Sequence, residues 1–127
     1  MKLVIMGTLS TLGVIYIIPF IVYSVFSVLI GAKIPEGASP IQFLISVLIV
    51  KLGTAIAITS IFYLSKNIFY ERWLLFSFLW WVMFILGEFG ELMLPTYSWK
   101  EAFGGIVSET IYTPLSIFIL RIISKQS

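Results

Sequence analysis

Residues 87–114, GEFGELMLPTYSWKEAFGGIVSETIYTP, contain the end of one strongly apolar segment, a short polar turn and the start of another. Glu88 and Glu91 belong to the first segment and Glu109 to the second, so three carboxylates stand at or inside the edges of apolar runs. A charge placed there is costly, and function is its default explanation. A fourth ionisable group, Lys51, interrupts another apolar segment upstream.

Working outward from this stretch, the pattern predicts four transmembrane helices. The run that ends in Glu88 and Glu91 begins near Ile68, passes Tyr70, Glu71, Arg72 and Trp73 at the interface, and extends over residues 68–94. Ser77, Trp81, Phe84, Glu88 and Glu91 recur at helical spacing, so they share a face that should point inward. After Pro95, a Ser98-Trp99-Lys100-Glu101 capping box starts the last helix, residues 99–123, with Trp99 and Tyr97 suited to the membrane surface. Its polar face reads Gly105, Glu109, Tyr112, Thr113 and Ser116, and Gly104 with Ser108 forms a small-residue packing edge. Pro114 should kink this helix and free the carbonyl of Thr110 beside Glu109.

Upstream, Ser39-Pro40-Ile41-Gln42 combines an N-cap, a first-position proline and a capping box, so a helix is expected over 40–64 with Lys51 near its centre. Leu48, Thr54, Ala55 and Ile58 flank that lysine, and Gly53 with Ala57 offers a second small-residue pair. The polar turn Ser65-Lys66-Asn67 makes this helix an antiparallel neighbour of the next. The first apolar run, 3–30, is about twice the length of a signal-peptide core and is read as a retained helix kinked at Pro19. Its Tyr16, Tyr23 and Ser27 lie on one face, where hydrogen bonding between helices explains them better than a pore lining. A loop with Lys33, Pro35, Glu36 and Gly37 follows.

Composition agrees with an all-α, polytopic membrane protein made of an antiparallel bundle of four transmembrane helices. Of 127 residues, 60% are hydrophobic and 11% charged, and the mean hydropathy is +1.09. Such a profile lies far from that of a soluble domain. The absence of cysteine, histidine and aspartate removes disulfides, thiol redox chemistry, haem ligation and His or Cys zinc sites, so no cofactor is expected. A metal would have to be a hard cation held by glutamate and carbonyl oxygens. The formal charge of +2 is too small to suggest nucleic acid. No phosphate-binding glycine loop or nucleophile motif is present.

Lys2, Lys66, Arg72, Arg121 and Lys125 fall on one side of the predicted membrane, with Lys33 and Lys100 on the other. This bias places both termini in the cytoplasm. At about 1.5 Å of rise per residue, Glu91 lies about 5 Å below the outer edge, Glu88 about 9 Å, Glu109 about 12 Å and Lys51 about 16 Å. The charges therefore outline an acidic recess that narrows toward a lysine, for which a carboxylate partner is expected.

The leading expectation is a small transporter or channel-like protein in which Glu109, Glu88 and Lys51, with Glu91, Thr110, Tyr112 and Thr113, handle a proton or a cation. The alternative is an accessory or assembly subunit of a larger membrane complex. The expected surroundings are the lipid bilayer together with further copies of this chain or larger subunits. A lipid-acting enzyme with Glu88 and Glu109 as acid and base ranks third, since no headgroup clamp or nucleophile accompanies them.

Overall fold

The computed structural model describes residues 2–29, 31, 39–95 and 98–125. Lys33, Pro35, Glu36 and Gly37 of the first loop, Tyr97 of the last turn, and the final two residues lie outside them. The described residues form α1 (Lys2–Leu29), α2 (Pro40–Leu64), the short α3 (Lys66–Phe69), α4 (Trp73–Leu92) and α5 (Trp99–Lys125), with no strand among them.

Four of these helices are long and apolar enough to cross a membrane. Even the shortest, α4 with 20 residues, covers about 30 Å at 1.5 Å per residue, the thickness of a hydrocarbon core. The distribution of side chains is that of a protein dissolved in lipid. Val28, Leu64 and Leu86 are exposed, whereas Thr11, Thr59, Ser77, Ser108, Thr113 and Ser116 are buried. Polar groups turn inward because helices in hydrocarbon associate through close packing and hydrogen bonds rather than through exclusion of water.

The bundle is antiparallel and is organised around α5, whose buried residues run along its length from Ala102 to Ser124. It packs extensively against α1 and α4, and α1 in turn packs against α2. Gly104 sets the approach of α5 to α1, since a methyl group there would fall 2.8 Å from the ring of Tyr23. At the other end Gly7 does the same, lying against Leu120 and Thr59. Tyr16 and Tyr23 add hydrogen bonds between helices, to the carbonyls of Leu44 at 3.1 Å and Glu101 at 2.8 Å. Ser27, on the same face, bonds back to Ser24 within its own helix.

Helix α2 begins as its sequence dictates. Ser39 accepts from the Gln42 amide, and the Gln42 side chain returns a bond to the Ser39 amide. Its packed face is Lys51, Ala55, Ile58 and Phe62, spaced at three and four residues. This puts Gly53 on the outer surface with open space beside it, so no helix among the described residues packs against it. Against the expected continuous helix over 68–94, the chain breaks at Tyr70–Arg72. There the Tyr70 carbonyl accepts from Arg121 Nε at 2.9 Å, and the guanidinium lies 4.7 Å from the Tyr70 ring centre. Both α1 and α5 continue through their internal prolines, Pro19 and Pro114.

Candidate functional site

Midway along the bundle, side chains from α2, α4 and α5 converge on a polar cluster. Its floor is Tyr112, buried against Ile15 and Ala55 and held edge-on by Phe84 at 5.7 Å between ring centres. Lys51 reaches it from α2. The ammonium donates to the Tyr112 hydroxyl at 3.0 Å and lies 4.8 Å from the ring centre. Where the sequence predicts a carboxylate partner, the direct partner is a phenol, and Glu109 and Glu88 act on the lysine through space.

Glu109 projects from the turn of α5 that precedes Tyr112 and is only 7% exposed. Its carboxyl is hydrogen-bonded to that of Glu88 on α4. Ionised carboxylates can only accept hydrogen bonds, so such a contact requires a proton on one of the two. The other oxygen, Glu109 Oε2, is buried without a hydrogen-bond partner among the described residues. The buried Thr113 Oγ1, one turn further along α5, is in the same condition.

Gly105 explains how Glu88 comes so close. A methyl group on Gly105 would fall 2.6 Å from Glu88 Cδ and 2.8 Å from its Oε2. The Glu88 carboxyl thus occupies the space left by the missing side chain, one helical turn before Glu109. A glycine four residues ahead of a membrane acid is a signal present in the sequence. The polar face of the last helix includes Gly105, but its role as a socket depends on where α4 sits, which spacing within one helix does not give.

The predicted site residues therefore separate into groups. Lys51, Glu88, Glu109 and Tyr112 come together, with Thr113 buried next to them. Glu91 lies in the last turn of α4 and is exposed, near enough to influence Glu109 electrostatically. Thr110 stays outside the cluster. It is exposed, accepts from Trp81 Nε1 at 2.9 Å and donates to the Ile106 carbonyl at 2.7 Å. Burial increases from Glu91 through the half-buried Glu88 to Glu109, so the acids form a graded series leading from the surface inward.

This arrangement can hold, receive and release a proton. Tyr23 of α1 closes it on another side, its ring against Gly104 and its hydroxyl on the Glu101 carbonyl. Comparison with known proteins yields no matching family model, no matching characterised protein and no matching solved structure.

Proposed function

We propose that this membrane protein is a small transporter or channel-like protein that handles a proton or a cation through Glu88, Glu109 and Lys51. The observation that carries this reading is the buried Glu109 carboxyl, bonded to Glu88 on one oxygen and unpartnered on the other. Ionisable groups at membrane depth commonly mark ion pathways and proton relays. A register-fixing ion pair is a weaker explanation, because the lysine bonds directly to Tyr112 and buried ion pairs are poor stability devices.

In this reading the exposed Glu91 is the outer entrance. Both termini face the cytoplasm, following the excess of Lys and Arg at the end of the bundle that carries Lys2, Lys66, Arg72, Arg121 and Lys125. The membrane is the cytoplasmic one.

The experiment is proton flux in liposomes under an imposed pH gradient, with the full chain reconstituted. Glu109→Gln should abolish the pH-dependent component, and undiminished flux would remove the proposal. A second reading, as an accessory subunit, is favoured by Gly53, Gly87 and Gly90, which leave open space on the outer surface where a companion helix could approach. Extraction in mild detergent separates the two. A homo-oligomer without stoichiometric companions supports transport, whereas co-purification with larger subunits supports the accessory role.

A further inference from the structure

On the transport reading just given, we propose that the species exchanged is the proton held between Glu88 and Glu109, and that Lys51 is a built-in counter-cation that keeps metal ions out. Charge balance leads to this assignment. With one shared proton the carboxyl pair carries a single negative charge, which the Lys51 ammonium offsets, so the buried cluster is neutral. Neutrality is the inexpensive state in a medium that cannot solvate ions. Release of the shared proton to water leaves the cluster with one net negative charge, and its return restores neutrality.

The ligand set favours a proton as well. A hard cation collects about six or more oxygens. Here the phenol oxygen is already engaged by Lys51, and no group of three or more acidic, His or Cys residues among the described residues is arranged for a metal. A cation entering between the acids would also have to separate two carboxyls that are bonded to each other. By contrast, Glu109 Oε2 is a buried acceptor without a hydrogen-bond partner among the described residues, so it can take the proton as the pair exchanges it. The ionisable groups that act on the pair are Lys51 from α2, Glu91 from α4 and Tyr112 from α5, with Tyr23 from α1 acting in turn on Tyr112.

The test is infrared difference spectroscopy of the full chain in lipid nanodiscs. The carboxylic-acid C=O band is followed while pH is stepped, first in choline chloride and then in sodium chloride. The expected result is a band lost in both Glu88→Gln and Glu109→Gln, with the same amplitude and midpoint in the two salts for the wild type. Lys51→Met, or Lys51→Gln should the first not fold by its amide band, should move the midpoint and make the band sodium-sensitive. A wild-type band that falls when sodium replaces choline would overturn the proposal. So would a spectrum unchanged by both glutamine substitutions, or lysine variants as indifferent to sodium as the wild type. Because the band reports binding, its presence in a protein without liposome flux would sink the transport reading and leave the proton site standing.

Discussion

At the end of the bundle near Leu64, α2, α4 and α5 meet through Ile58, Phe62, Phe76, Ile117 and Leu120, a dry core with Phe62 and Phe76 edge to face at 5.4 Å. About two turns away along the same faces, they meet through Lys51, Glu88, Glu109 and Tyr112. One helix face thus changes from aliphatic and aromatic packing to charge without changing its neighbours. On α2 this change is the step from Ile58 back to Lys51. The apolar packing near Leu64 would serve equally well where the charges lie. The charged half is therefore the part that stability alone does not account for.

The largest effect expected from breaking this contrast is on the stability side. Phe62→Ala should cost about 3–5 kcal/mol of folding stability, the usual range for emptying a buried aromatic site. Unfolding in mixed micelles would measure it, and the carboxylic-acid band should remain.

Next comes Gly105→Ala. Its new methyl meets the far end of a flexible glutamate rather than backbone, so the fold should persist while the Glu88 carboxyl is pushed off Glu109. Proton flux should fall by about tenfold, equivalent to 1.4 kcal/mol. Shortening the acid with Glu88→Asp in the same chain should recover part of it. Equal flux in wild type and Gly105→Ala would mean that the contact between the two acids is incidental.

A smaller change is expected for Tyr112→Phe, which removes the acceptor of Lys51. Hydrogen bonds between helices in membranes are worth about 0.6 kcal/mol on average, so stability should shift by about that much. The smallest expected change is at Gly53, which faces outward with open space beside it. Gly53→Leu should alter stability by no more than about 0.5 kcal/mol, as substitutions away from packed features do. A large loss would mean that another helix covers that face in the native particle.

The contrast also shows what spacing can reveal and what it cannot. Hydropathy and the Ser39–Gln42 capping box made the bundle of four spanning helices legible, because length and local capping are properties of single segments. The order of burial, from exposed Glu91 through Glu88 to Glu109, runs in the same sense as the order of depths expected from the sequence. The partner of Lys51 was not legible. Which oxygen an ammonium meets depends on how α2 and α5 are rotated about their axes, and Tyr112 reaches it first. Gly53 lies on the outer surface, and small-residue spacing within one helix does not say which face of the bundle it will occupy. At the break over Tyr70–Arg72 the Tyr70 carbonyl is met by Arg121, which lies 51 residues away along the chain, a contact that no local pattern announces.

The most direct test of a functional charged half reads stability and proton flux together in one preparation of Glu109→Gln. Glutamine keeps the shape and the capacity to hydrogen-bond to Glu88 while removing the exchangeable acid. The expected result is folding stability within about 1 kcal/mol of wild type, since neutral replacement of buried charge is often tolerated, together with loss of pH-dependent flux. A variant that loses its stability but conducts protons as the wild type does would contradict the account and make Glu109 a structural residue.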